Sequence, residues 1–224
     1  DLRFARMLEG GGLEEEALLL QKSGVGGSGA HPERERAVGL ERRPRFGQSG
    51  LRRAVTTPGV LEQAAAEANA AVIAYTDPNS ENAASCTFSA AVIEGSEVYY
   101  GNVGDSRSYW IPDQGSSDQP VQLSVDDSVA QARIAMGVPR EEAENGPQAH
   151  AITKWLGRDS PDFTPATGSR TVRGPGWLLV CSDGLWNYAS PAEVVQQLIV
   201  DLGGPAPDPL ALSVAMVRWA NEQG

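Results

Sequence analysis

Three short runs of β-prone residues follow one another closely in the middle of the chain. CTFSAAVI and EVYYGNV are separated by Glu94-Gly95-Ser96, which has turn chemistry, and RSYWI comes next. Two β-prone runs on either side of a turn predict an antiparallel hairpin, and the third run predicts a further strand. The rest of the chain must therefore fold around antiparallel strands.

Helical segments flank these strands, and one more strand follows. WLLVCS is a continuous apolar run of strand length, as expected for a strand covered on both faces. Alanine-rich composition, a capping-box sequence at Ser190 and a breaker at Asp77 mark helix limits. We predict helices over residues 60–76, 128–136, 190–202 and 209–222, with Asp126 or Asp127 capping the second. Antiparallel strands with flanking helices predict an α+β protein.

The first quarter of the chain differs from the remainder. Residues 1–59 contain glycine clusters and an Arg-rich stretch, with little apolar periodicity. Such a segment buries little surface to offset the entropy of ordering it. We predict a loosely ordered N-terminal segment over residues 1–59, with one short helix at 13–21, and a single domain over 60–224.

Composition excludes several classes of protein and site. The formal net charge is −11, and beyond residue 60 the chain has 21 acidic residues against 8 basic ones, which disfavours nucleic-acid binding. No long apolar run or secretory signal occurs, so we expect a soluble, cytoplasmic protein without a membrane partner. Cys86 and Cys181 belong to no CxxC pair and are expected to be buried thiols. Since the chain has 2 histidines, any metal site must rest on carboxylates.

Two aspartates follow strand-like runs. Asp105 lies in GNVGDSRSYW and Asp183 in LLVCSDGLWN. A carboxylate held at the rim of a sheet is the kind of ligand that Mg²⁺ or Mn²⁺ prefers. Taken alone, however, an aspartate after a strand is more often a turn former or a helix cap, so spacing and residue type leave both interpretations open.

The order of four motifs is more specific. GNVGDSRSYW, LSVDDS, AITKWLG and LLVCSDGLWN occur in the sequence in which PPM-type (type 2C) metal-dependent protein serine/threonine phosphatases carry their signature. SCTFSAAVI lies where that family has the preceding central strand. The chain resembles this family over residues 61–224.

The resemblance implies a fold and an activity. It implies two antiparallel sheets packed as a sandwich with helices outside, and a binuclear Mn²⁺ or Mg²⁺ site that activates water to hydrolyse phosphoserine and phosphothreonine. Asp183 resembles a direct metal ligand, Asp105 resembles an aspartate that helps to bind a further metal, and Asp126 matches a position that we interpret as structural. The implied partners are a phosphorylated signalling protein and, as a second candidate, a serine/threonine kinase.

The family pattern breaks at both ends of the chain. Residues 23–27, SGVGG, are the nearest match to the family's Asp-Gly-x-Gly-Gly loop, so Ser23 and Gly24 stand at a doubtful metal-loop position. The family's last metal motif, Gly-x-Asp-Asn, would follow Gly224. A truncated chain, an inactive pseudophosphatase that binds and regulates a phosphoprotein or kinase, and a corrupted N-terminal sequence all fit these breaks. Because carboxylates are missing, we expect hydrolysis of phosphopeptide with Mn²⁺ at or near background.

Overall fold

The computed structural model describes residues 2–7, 17–22, 58–79, 83–203 and 208–224, and of the first two ranges it describes the backbone alone. The strands are Leu2–Met7 (β1), Ala17–Lys22 (β2), Ser85–Glu94 (β3), Glu97–Val103 (β4), Arg107–Pro112 (β5), Val121–Gln122 (β6), Leu156–Gly157 (β7), Ala166–Thr171 (β8) and Gly176–Cys181 (β9). The helices are Pro58–Tyr75 (α1), Val129–Ala135 (α2), Arg140–Glu144 (α3), Asp183–Trp186 (α4), Ala192–Gly203 (α5) and Pro209–Gln223 (α6).

The strands form two sheets in which every pairing is antiparallel. The first sheet has the order β1-β9-β5-β6, and the second has the order β2-β3-β4-β8, with β7 paired to the beginning of β3. The predicted hairpin is the pair β3 and β4, which turn at Gly95. Two antiparallel sheets with helices outside confirm the predicted fold class.

The alternation of side chains along β9 explains how the layers stack. Successive side chains of a strand point to opposite faces of the sheet. Trp177, Leu179 and Cys181 therefore pack against the helices outside the first sheet, whereas Leu178 and Val180 pack between the two sheets. Because both faces are covered, all six residues of β9 are buried, as the continuous apolar run predicted.

Helices cover the outer face of each sheet. Helices α5 and α6 pack on the first sheet, and α1 packs on the second. The buried contacts come from one side of each helix: Val195, Leu198 and Ile199 of α5, Leu212, Met216 and Ala220 of α6, and Leu61 and Ala65 of α1. Among the described residues, no helix combines the length and the apolar composition needed to cross a bilayer.

Two local predictions are wrong. Residues 17–22 form β2, paired with β3, where a helix over 13–21 was predicted. ALLLQK is rich in helix formers, but hydrogen bonding along β3 overrides this local preference for a helix. The N-cap of α2 is Ser128, whose side chain accepts a hydrogen bond from the backbone N–H of Gln131 at 3.2 Å, rather than either aspartate. The boundary at residue 60 stays a prediction.

Candidate functional site

The pairing of β5 with β9 brings two loops to the same edge of the first sheet. β5 begins at Arg107 and β9 ends at Cys181, and these two residues are partners in the ladder. Asp105 lies two residues before Arg107, and Asp183 lies two residues after Cys181. The antiparallel register therefore places both aspartates singled out in the sequence at one rim of the sandwich.

The loop that carries Asp105 is fixed by its neighbours. Gly104 has a φ of 100°, and a Cβ there would lie 2.5 Å from Cγ2 of Thr87, so the position requires glycine. The backbone N–H of Gly104 donates to Oδ2 of Asp127 at 3.1 Å, and the N–H of Asp127 donates to the carbonyl of Gly104 at 2.8 Å. The hydroxyls of Thr87 and Ser106 are hydrogen-bonded at 2.8 Å. The loop is thus held from both sides.

Helix α4 contains Asp183 and also donates a hydrogen bond to the backbone of Asp105. Asp183 is the first residue of this single helical turn, directly after Ser182 at the end of β9. Trp186 is its last residue, and the indole Nε1–H donates to the backbone carbonyl of Asp105 at 2.8 Å. Helix α4 therefore contains one of the two aspartates and is hydrogen-bonded to the backbone of the other.

The electrostatics of Asp105 show that the two carboxylates interact. Burial, followed by the negative charges of Asp183 and Asp126, raises the pKa of Asp105 to about 6. A half-buried carboxyl near other carboxylates is unfavourable when charged, and a divalent cation relieves that cost. The donor set therefore fits a hard cation such as Mg²⁺ or Mn²⁺.

The two carboxylates at the rim match in number the protein ligands of a single such cation. Magnesium sites commonly use one or two protein carboxylates, completed by water and substrate oxygens, and Asp105 and Asp183 are the two candidates here. Within the described ranges no group of three or more His, Cys, Asp or Glu side chains converges on a metal position. A second cation would need carboxylates from outside these residues. Ser23 and Gly24 lie outside them as well, and the metal roles of all four residues stay predictions.

Arg107 ties the loops around the rim together. Its guanidinium donates to Asp126 through three contacts of 2.7–3.0 Å and to Oγ of Ser190 at 2.7 Å, and it lies 3.6 Å from Glu144. Its carbon Cζ lies 3.9 Å from the centre of the Trp186 ring. Burial disfavours the charged guanidinium, but the hydrogen bonds and charge of Asp126 outweigh it and raise the pKa of Arg107 above its ordinary range. Asp126 is structural, as interpreted from the sequence, but through this ion pair rather than as a helix cap.

A small pocket opens beside Asp105. Its lining includes the buried ion pair, Glu144, Trp186 and His150, whose ring stacks on the indole with centroids 6.0 Å apart. Sequence reasoning missed Glu144 and the role of Trp186 at the rim. The sequence spacing could have revealed Trp186, because a residue three positions after Asp183 lies on the same face of a helix.

Comparison with known proteins finds relatives that are serine/threonine phosphatases. No protein-family model matches the chain. The chain is 29% identical over 140 residues to the serine/threonine phosphatase stp of Listeria innocua. The aligned residues make up 62% of this chain and 54% of that protein. The chain thus spans about half the length of the curated relatives it matches.

Solved structures extend the comparison to the fold. The PPM Ser-Thr phosphatase MsPP from Mycobacterium smegmatis, in complex with cacodylate, is 32% identical with a TM-score of 0.56, over 76% of this chain and 70% of that one. The phosphatase Stp1 from Staphylococcus aureus is 27% identical with a TM-score of 0.63, over 80% and 67%. The catalytic domain of PstP in complex with 2 manganese ions shares the fold at 22% identity and a TM-score of 0.58, over 77% and 68%.

Proposed function

Because the chain belongs to the PPM family of serine/threonine phosphatases, we propose that it hydrolyses phosphoserine or phosphothreonine in proteins with the help of Mn²⁺ or Mg²⁺. The observation that carries the proposal is the register of β5 with β9, which brings Asp105 and Asp183 to one rim of the sandwich. After burial, the charge of Asp183 is the next cause of the raised pKa of Asp105. The manganese-containing PstP domain supports Mn²⁺ as the cation to test first.

Each residue at the rim has a proposed task. Asp183 and Asp105 would hold the cation, and the contacts of Gly104 fix the backbone directly before Asp105. When bound, the cation supplies a Lewis acid that activates water and neutralises phosphoryl oxygens. Arg107 is engaged by Asp126 and has 3% of its side chain exposed, so we assign it to the support of the rim and not to substrate binding.

The substrate and the location follow from the same proposal. A phosphorylated protein is the proposed partner, and a serine/threonine kinase of the same signalling system is a second one. Cys86 and Cys181 are buried and unpaired, which is typical of a reducing compartment and supports a cytoplasmic site of action.

The test compares three forms of the 224-residue chain on a phosphoserine peptide with Mn²⁺. We expect the wild type to release phosphate at a rate just above background, in keeping with its missing carboxylates, and Asp183→Asn to release none. Ser23→Asp should be faster than the wild type, because aspartate would supply a carboxylate at the doubtful loop position. Asp162→Asn is a matched control, since it neutralises an exposed aspartate that is paired with Lys154. Equal rates for the wild type and Asp183→Asn would contradict the proposed activity.

A second candidate, an inactive phosphatase-like module, is favoured by Ser23 and by the lack of a three-ligand cluster among the described residues. It predicts that the wild type binds phosphopeptide, measured by fluorescence anisotropy, without releasing phosphate. Release of phosphate that requires Mn²⁺ and Asp183 decides against it.

A further inference from the structure

We propose that Trp186 is a positioning residue that sets the separation between the carboxylates of Asp105 and Asp183. The inference rests on the proposed function, because it concerns the cation that those carboxylates would hold. Trp186 would then orient metal ligands in addition to packing in the core.

A continuous chain of covalent and hydrogen-bonded contacts links the two aspartates. Asp183 and Trp186 are the first and last residues of α4, so one turn of helix fixes their relative positions. The indole N–H then holds the carbonyl of Asp105 at 2.8 Å. The backbone of Asp105 is therefore tied to the element that carries Asp183, besides being tied by the ladder between β5 and β9.

The indole of Trp186 is itself held by contacts other than this hydrogen bond. The guanidinium of Arg107 lies over its ring at 3.9 Å, and that guanidinium is fixed in turn by Asp126. His150 stacks on the same ring system, and Trp186 is 6% exposed. Losing the N–H while keeping an aromatic ring should therefore leave the packing largely in place.

The two carboxylates need an anchor that keeps them near each other. Two carboxylates at one rim repel each other, so without a cation the charges of Asp105 and Asp183 favour a wider separation. An anchor on the backbone of Asp105 opposes that movement and keeps the ligands near the geometry that a cation requires. Partners that orient metal ligands in this way typically affect metal affinity by roughly 10–100-fold.

The experiment measures Mn²⁺ binding to the 224-residue chain by isothermal titration calorimetry, with Trp186→Phe as the test variant. Trp110→Phe is the matched control, because Trp110 is also buried but its Nε1 has no hydrogen-bond partner among the described residues. We expect Trp186→Phe to raise the dissociation constant for Mn²⁺ roughly tenfold, at the lower end for an orienting partner. Trp110→Phe should lower the melting temperature but leave the dissociation constant unchanged.

The outcomes separate this inference from the proposed function. If Trp186→Phe binds Mn²⁺ as tightly as the wild type, or if Trp110→Phe weakens binding equally, Trp186 has no positioning role while the metal site stands. If the wild type binds no Mn²⁺, or Asp183→Asn binds it undiminished, the proposed metal site is refuted and the role of Trp186 falls with it.

Discussion

Replacing Asp126 with alanine is expected to lower the free energy of unfolding by about 3 kcal/mol. Asp126 accepts three contacts of 2.7–3.0 Å from Arg107, and the two side chains are 4% and 3% exposed. The variant would leave a guanidinium buried without its main counter-charge. A guanidinium keeps its proton at any pH used for the assay, so Arg107 cannot avoid the cost by becoming neutral.

The magnitude follows from what remains around Arg107 in the variant. Removing one partner of a buried pair typically costs about 3–5 kcal/mol. Glu144 lies 3.6 Å away as a weaker partner, with 25% of its side chain exposed, and Ser190 still accepts a hydrogen bond, so the lower end of that range applies. For a domain of this size, the change corresponds to a fall in melting temperature of about 6–12 °C.

The assay is equilibrium unfolding in urea and by heat, followed by tryptophan fluorescence. Asp162→Ala is the matched control, because Asp162 pairs with Lys154 at a similar 2.8 Å but is 43% exposed, and it should change stability by less than about 1 kcal/mol. The double variant Arg107→Met with Asp126→Leu should recover most of the loss, since no buried charge is left unpaired. A loss in Asp126→Ala no larger than that in Asp162→Ala would refute the reasoning.

Three further predictions concern other parts of the domain. Because the pKa of Asp105 is raised to about 6, the folded metal-free chain holds a proton that the unfolded chain releases between about pH 4 and 6. The free energy of unfolding should therefore fall by about 3 kcal/mol as pH rises through that window, and Asp105→Asn should abolish this part of the slope in urea titrations at each pH. Ser128→Ala should cost about 1 kcal/mol in the same assay, because α2 loses its cap, whereas a neutral result would show that the cap is dispensable. Burial raises the pKa of the Cys86 thiol to about 11 and that of Cys181 to about 12, so iodoacetamide at about pH 8 should alkylate neither until guanidinium chloride is added. Alkylation of the folded chain, detected by mass spectrometry, would contradict the burial of these thiols.

Much of the fold was accessible from the sequence because its signals are local. The apolar run of β9 and the hairpin of β3 and β4 each lie within one continuous stretch of chain, and helix α1 ends at Tyr75, just before the predicted breaker at Asp77. β8 was not predicted, since ATGSRT has little strand character and is mostly exposed. It forms along the edge that β4 offers, which no local pattern reveals.

The site was predictable in its parts and not in its arrangement. Asp105 and Asp183 each stand after a strand, so their types and positions could be read from neighbouring residues. Their position at one rim depends on the register of β5 with β9, which joins segments more than 60 residues apart. The contacts of Arg107 with Ser190 and of Trp186 with Asp105 span 83 and 81 residues and need the folded chain.

The short link between β4 and β5 has a mechanical consequence. β4 belongs to one sheet and β5 to the other, so residues 104–106 span the end of the sandwich. The two sheets therefore cannot shear past each other without dragging Asp105 away from Asp183. A ligand bound between these aspartates would resist sliding of one sheet over the other. The force needed to slide the two sheets apart would therefore report whether the ligand is bound.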